Sequence, residues 1–527
     1  MVKQAMGKEK LGILLILIGG LFLNLSGNNW GLPARWHPDE HFASDAIGIA
    51  WNKDRQAFLT ASLYVKTLSS GQFIYHAWAE RAGIVPASFE DIQELARYSV
   101  RPGHELDAQY VTFSYRLARS LSAIFAAATV VMTYWLGVRL ANQRAGLLAA
   151  MLLTVSMGFM NLAHFATYDM FTIFFITATV YWSVQIVENG RSQTYLFSAL
   201  FAALAASGKA IGYLAIWVLL MAHLLRVLDG RFTNWRQLFM WRSHKRVGLS
   251  LICLLLGYLL FNPIWLLEPQ TAIAFLQTVV GYVFNGVDPV NQGAQNFAPR
   301  SNWVVGFFNL AETLGWPLFA LMSLGFVWAL WQAILKKQHT LIVILTWVIS
   351  YGLFMGTSSL PMIAARHMVP QFPFLAVFSA MMLLAKWQQL KRWPKWRMAV
   401  LTIGIISYSL LFTAVASTMF RSDSRYAAAD WLANNLANEG AILVSGSPSV
   451  RSYFPTIPFA AADRLLPSRN EEDWQLIAEK APRYIVMSSI YYGRFYAWPT
   501  ASPQATQFHN QLFSGQLPYK LVAQFPA

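Results

Sequence analysis

Leu11–Leu25 reads LGILLILIGGLFLNL, and a short link later Trp36–Phe42 reads WHPDEHF. An uncharged apolar run meets its first dense polar cluster, two carboxylates and two imidazoles, almost at once. In hydrocarbon the backbone has to satisfy its own hydrogen bonds, so the first stretch reads as a membrane helix. The second then lies just outside the bilayer.

The rest of the chain has the same character. Of 527 residues, 56% are hydrophobic, 15% aromatic and only 12% charged, against roughly 25% charged in an ordinary soluble chain. Mean hydropathy is +0.39. Such a chain is a polytopic α-helical membrane protein. Apolar segments fall at about 11–25, 113–136, 145–162, 168–187, 195–210, 211–228, 247–261, 314–335, 341–355, 368–384 and 398–417, eleven in all. The pair at 195–228 is the shortest relative to the ~20 residues that a perpendicular span needs. The N-terminal run has no clear cleavage site and reads as an uncleaved signal anchor. The single cysteine, Cys253, excludes an internal disulfide and a cysteine-based metal site.

A net charge of +15 does not point to nucleic acid, because the basic residues fall in short clusters between apolar segments. Lys3, Lys8 and Lys10; Arg139 and Arg144; Arg191; Arg226, Arg231, Arg236, Arg242, Lys245 and Arg246; Lys336 and Lys337; and Lys386, Lys391, Arg392, Lys395 and Arg397 mark the cytoplasmic side. The outer face then receives loop 28–110, the turn near His164, loop 262–313, the turn at 357–366 and the C-terminal tail. Residues 1–420 read as the membrane domain. Residues 421–527 read as a small soluble α/β domain: helices at 424–436 and 471–480, and strand-like runs at 441–445, 484–488 and 520–525. Within loop 262–313, residues 271–284 are amphipathic and suit the membrane surface. The charges there, Glu268, Asp288, Arg300 and Glu312, are scattered and take no role.

Charged groups inside or beside apolar spans cost roughly 2.5–3.5 kcal/mol each on insertion scales, so each asks for a reason. Pro38 suits a first helical turn, which sets Asp39 and Glu40 at the positive end of a helix dipole. The bland reading is dipole complementarity. The functional one is an ionised carboxylate able to accept a proton or bind a cation. His37 and His41 flank the pair. Asp169, in the turn that begins at His164, is either a helix cap or a second acid on the same face. Lys209 and Arg366, with His367 beside it, lie on the side where positive charge is disfavoured. Lys209 reads as a snorkelling side chain or an anion site, and Arg366 as a headgroup contact or a phosphate ligand. Collected on one outer face, these groups suit transfer of a moiety from a phosphorylated lipid, with cations neutralising the leaving phosphate and a carboxylate taking the acceptor proton. The chain has no GxGxxG, Walker or HExxH pattern.

Three stretches resemble the GT-C glycosyltransferases that use polyprenyl-phosphate sugars, in particular the protein-O-mannosyltransferase and aminoarabinose-transferase group. They are Pro38-Asp39-Glu40, the run from Arg116 to Asp169 with Leu136-Gly137-Val138-Arg139 and Ala145–Ala150, and Arg366–Pro373. The resemblance implies an inverting hexosyl- or pentosyltransferase of the bacterial inner membrane. Its partners would be a polyprenyl-phosphate sugar donor, membrane lipid, and an acceptor protein, lipid or glycan, with no nucleic acid. Asp39 matches the catalytic carboxylate with Glu40 beside it. Asp169 matches a second acid that in relatives orients the acceptor or binds a metal, so a divalent cation, if used, would fall to Asp39 and Asp169. Lys209, Arg366, His367, His37, His41 and His164 are the expected substrate contacts. The family's aromatic-Pro pair in the first loop has no clear counterpart; Tyr75–Trp78 is nearest. Competing readings are a transporter or flippase of a lipid-linked saccharide, and a surface-glycan polymerase or ligase. The absence of a paired-half repeat weighs against transport.

Overall fold

A computed structural model describes residues 2–85, 105–228, 239–285, 301–359, 364–389, 395–445, 452–466, 473–497, 499–500 and 503–526. Asp288, Arg300, Arg231, Arg236, Lys391, Arg392 and Glu471 lie outside the described residues.

Eight described helices are long and apolar enough to cross a membrane, or nine if one bent pair is a single span. They include Glu105–Leu140, Asp169–Asn189, Ala365–Trp387 and Trp396–Thr418. The N-terminal helix Val2–Leu25 and the 17-residue helix Ser192–Gly208 are the other two apolar segments of the sequence reading. The first has a charged start and the second is short, so neither passes that test on length and composition.

The span expected at 145–162 is two helices, Gln143–Thr154 and Met157–Ala163, bent by 67°. A sharp break frees backbone groups that need new partners. Thr413 Oγ1 donates to the Val155 carbonyl at 2.8 Å, and Ser156 Oγ to that of Leu153 at 2.7 Å. The bend turns the chain towards His164 and Asp169. Just before it, helices Glu105–Leu140 and Gln143–Thr154 touch backbone to backbone. A Cβ on Gly137 would sit 2.8 Å from Gly146 Cα, the close approach that small residues allow between membrane helices.

The described part of loop 28–110 holds the helices His41–Asn52, Arg55–Thr60 and Leu63–Ala82. Their apolar faces close over the N-terminal end of Glu105–Leu140 around Tyr64, Tyr110 and Tyr115. The amphipathic segment of loop 262–313 is the helix Pro269–Asn285, with Ile273, Phe275 and Phe284 exposed.

The tail is a small α/β unit. Three parallel strands in the order β2-β1-β3, Leu465–Leu466, Ile442–Val444 and Tyr484–Val486, carry helices Ser424–Asn435, Asp473–Lys480, Ser489–Ala497 and Pro503–Phe513. The strand expected at 520–525 does not form. The segment pairs with neither edge of the sheet, and Leu521 and Val522 stay exposed, without the buried face that would hold a strand in register.

Candidate functional site

Pro38–Glu40 is one turn of 3-10 helix running into His41–Asn52, with proline in the first helical turn and both acids beside it. His37 is the extended residue before it. Its Nδ1 accepts the Asp39 amide at 3.2 Å, and its ring stacks on Phe165 with centroids 3.8 Å apart. Burial holds the His37 imidazole below its ordinary pKa against the opposing pull of Glu40 and Asp39, so a neutral ring caps the turn.

The two neighbouring acids face different ways. Glu40 was expected beside Asp39 in the chemistry, but it faces the outer part of helix Glu105–Leu140. Arg119 Nε and Nη2 each donate to it at 2.7 Å, the Ala166 amide donates at 2.9 Å, and the Arg119 and Glu40 side chains are 1% and 0% exposed. Burial alone would raise the Glu40 carboxyl; the Arg119 guanidinium outweighs it and holds the group below the usual carboxylate range. Arg119 also donates to the carbonyls of Asn28 and Trp30, at 2.9 Å each. Glu40 and Arg119 thus fasten the loop to the membrane domain, with no oxygen of Glu40 left for a substrate.

Asp39 stays accessible. Its carboxylate meets Arg366 Nη2 at 3.0 Å, with side chains 31% and 35% exposed. Arg366 is carried on a 3-10 turn, Ala365–Gln371, leading into Phe372–Gln389. The turn is pinned by Tyr351 Oη to the His367 carbonyl at 2.6 Å and Trp347 Nε1 to the Pro370 carbonyl at 3.1 Å.

Asp169 opens its helix but makes no capping bond. Its Oδ1 accepts from Lys209 Nζ at 2.7 Å, with side chains 6% and 17% exposed, and the ammonium lies 4.6 Å over the Tyr168 ring. The cap reading of Asp169 and the snorkelling reading of Lys209 therefore give way to a buried ion pair. The charge of Arg366 acts on both members of it. The His367 Nδ1 is buried without a hydrogen-bond partner. Two carboxylate–cation pairs, Asp39–Arg366 and Asp169–Lys209, therefore share one electrostatic neighbourhood.

The remaining imidazoles separate. His41 is exposed on Phe42, its ring 4.0 Å away. His164, expected to contact substrate, is buried: Nδ1 lies 2.8 Å from the Met160 carbonyl and the ring stacks on Phe420 at 4.3 Å. Burial lowers its pKa to about 4 against the pull of that carbonyl. His164 is packing.

A divalent cation fits poorly. Among the described residues no three His, Cys, Asp or Glu side chains come together, and Asp39 and Asp169 are each charge-matched by a protein cation.

Sequence reading missed Arg119, Tyr168 and an arginine of the tail, Arg425. The signal for Arg119 was present. Arg116 and Arg119 are the two charges in the stretch 111–136, and a span charge needs a partner.

Residues 102–276, which hold Arg119, Asp169 and Lys209, match the family described as dolichyl-phosphate-mannose-protein mannosyltransferase. No curated relative matches the sequence. The oligosaccharyltransferase AglB from Archaeoglobus fulgidus, solved with an inhibitory peptide and a dolichol-phosphate, superposes with TM-score 0.51 at 12% identity, over 95% of this chain and 72% of that one. ArnT from Cupriavidus metallidurans bound to undecaprenyl phosphate gives 0.49 at 13%, over 92% and 94%. The chain is a multi-pass membrane protein with a GT-C-like fold similar to that of AglB, and a third of it, residues 102–276, carries the mannosyltransferase family match.

Proposed function

We propose that the protein is a membrane glycosyltransferase that moves a sugar from a polyprenyl-phosphate donor to an acceptor hydroxyl at the outer face of a bacterial inner membrane, with inversion. The observation that carries this reading is the accessible Asp39–Arg366 pair beside the buried Asp169–Lys209 pair. The base and the accessible cation sit on the 3-10 turns Pro38–Glu40 and Ala365–Gln371, and the buried pair at the adjoining helix ends. The match of residues 102–276 to the mannosyltransferase family and the AglB-like fold support it.

The donor phosphate competes with Asp39 for Arg366, since guanidinium pairs with phosphate oxygens at least as well as with a carboxylate. Asp39, released, accepts the proton of the acceptor hydroxyl. The acceptor oxygen forms its bond to the anomeric carbon from the face opposite the phosphate. The bond from that carbon to the phosphate oxygen breaks, and the electron pair leaves with the polyprenyl phosphate. Arg366, with Lys209 behind it, balances the charge on that leaving group. Glu40 acts at a distance, by fixing the turn that carries Asp39.

The test is transfer by purified protein in detergent, where transport has no meaning, with a set of polyprenyl-phosphate hexoses and pentoses. Asp39→Asn is expected to abolish turnover while the protein accumulates and melts as wild type. Near-normal turnover by that variant would sink the assignment of the base. Donor binding without turnover by the wild type would favour the flippase reading.

A further inference from the structure

We propose that the C-terminal domain is a positioning element for the Asp39 turn, acting through Arg425 with Asp423 and Tyr426; this rests on Asp39 being the base.

Loop 28–40 enters the site between two arginines. Arg119 holds it from the membrane side. Arg425, at the start of the first tail helix, holds it from outside. The Arg425 guanidinium lies 4.5 Å from the Trp36 ring centroid and 5.0 Å from that of Trp30, while Arg119 lies 5.8 Å from the Trp30 ring. Arg425 Nη1 donates to the Trp36 carbonyl at 3.2 Å, one residue before the imidazole that caps the Asp39 turn. It also reaches the Ser452 carbonyl, within the tail. Asp423 fixes the guanidinium from Nε and Nη2, at 2.9 and 2.6 Å, and accepts the Trp30 indole N–H at 2.9 Å. Tyr426 Oη accepts the Gly31 amide at 2.8 Å, and its ring packs on Trp36 at 4.6 Å.

The contact is built rather than incidental. Trp30, Trp36, Phe165 and Phe420 form one buried cluster, and the same Phe165 stacks on His37. Gly31 has φ +64°, and a Cβ there would lie 2.7 Å from Trp36, so the loop can fold under the tryptophan only with glycine. Cation–π contacts are strongest where water is excluded, and the Arg425 side chain is only 14% exposed, which makes this seam a strong one for a surface domain. The path from Arg425 to Asp39 is short: a hydrogen bond to the Trp36 carbonyl, the Trp36–His37 peptide bond, and the His37 ring, whose Nδ1 accepts the Asp39 amide. A tail that loosens would let the base drift, and a misplacement of about 1 Å can cost on the order of a hundredfold in rate.

Arg425→Ala, Arg425→Lys and Tyr426→Phe decide it, each assayed for donor KM, kcat and amide hydrogen exchange in detergent. For Arg425→Ala, kcat is expected to fall about tenfold with donor KM within about twofold of wild type. Exchange should quicken across residues 36–48 while strand β1 keeps wild-type protection. Arg425→Lys, which keeps the cation over both indoles but loses the paired bonds to Asp423, should be intermediate. Tyr426→Phe lacks one hydroxyl and threatens the fold least; it should lose protection at Gly31 and about two- to threefold in kcat. Wild-type kcat and exchange in both Arg425→Ala and Tyr426→Phe would overturn the proposal. So would a rise in KM at constant kcat, which would make the tail a binding surface. A wild-type protein inert on every donor would defeat the glycosyltransferase reading instead, and exchange across 36–48 would still decide whether the tail orders the turn.

Discussion

Replacing Glu40 by alanine tests the division of labour between the two neighbouring acids. Glu40 makes three charge-assisted hydrogen bonds, two from Arg119 at 2.7 Å and one from the Ala166 amide at 2.9 Å, with both charged side chains out of solvent. Removing one partner of such a pair leaves an uncompensated buried charge and costs about 3–5 kcal/mol. Replacing both, as Glu40→Leu with Arg119→Met, removes that penalty but also releases the Asn28 and Trp30 carbonyls. The double variant should therefore remain about 2 kcal/mol below wild type rather than recover fully. The single cysteine, Cys253, sits part-buried in its helix, so a fluorogenic thiol reagent reports unfolding of unmodified protein on heating in detergent. The pH dependence has a definite sign. The folded Glu40 carboxyl lies below its ordinary value of 4.5. The stability it confers is complete above 4.5 and is lost as pH falls through the lower folded value. The deficit of Glu40→Ala should thus be full at neutral pH and shrink in acid. A variant that melts with the wild type, or a deficit that does not change with pH, would refute the fastening role of Glu40.

Lys209→Met should lower the melting temperature by stranding Asp169, which is 6% exposed. Adding Asp169→Asn should restore the melting temperature but not turnover, whereas full turnover in the double variant would remove the pair from the site. His164, with its pKa lowered to about 4 from 6.5, takes up a proton more readily unfolded than folded. Stability should therefore fall as pH drops from 6.5 towards 4, by up to about 3 kcal/mol, and His164→Phe should flatten that slope in melting curves.

The architecture was legible because hydropathy reports lipid directly. The breaks in it were not. Nothing local in Val155-Ser156 announces a 67° bend, because the group that satisfies the freed Val155 carbonyl is Thr413, which arrives from a late span. In the tail, helices Ser424–Asn435 and Asp473–Lys480 and strands β1 and β3 could be read from their patterns, while β2 and the last two helices were not. Residues 520–525 have a strand's composition but pair with neither edge strand, and pairing is a tertiary property. At the site, residue types and order along the chain sufficed to collect Asp39, Asp169, Lys209 and Arg366. They could not tell which of two adjacent acids looks at solvent. That choice is made by Arg119, which the 3-10 turn brings within reach of Glu40 and not of Asp39.

The same four residues carry a consequence that sequence alone does not supply. Lys209 and Arg366 read as vacant cations awaiting a phosphate, yet each already has a carboxylate, at 2.7 and 3.0 Å. The two pairs differ in burial, and that difference orders events. The Asp169–Lys209 pair is buried and braced by Tyr168, and separating it would strand a charge out of water at a cost of about 3–5 kcal/mol. The Asp39–Arg366 pair is about one-third exposed. An exposed pair of this kind is worth only about 0–1 kcal/mol, so an incoming phosphate exchanges partners there at little cost. On the proposed function, Arg366 is then the cation that meets the donor first, and Asp39 the carboxylate that this meeting sets free. Lys209 remains on Asp169 and contributes its charge through space. On this ordering, Arg366→Lys should weaken donor binding more than Lys209→Arg does, because lysine lacks the fork that grips two phosphate oxygens.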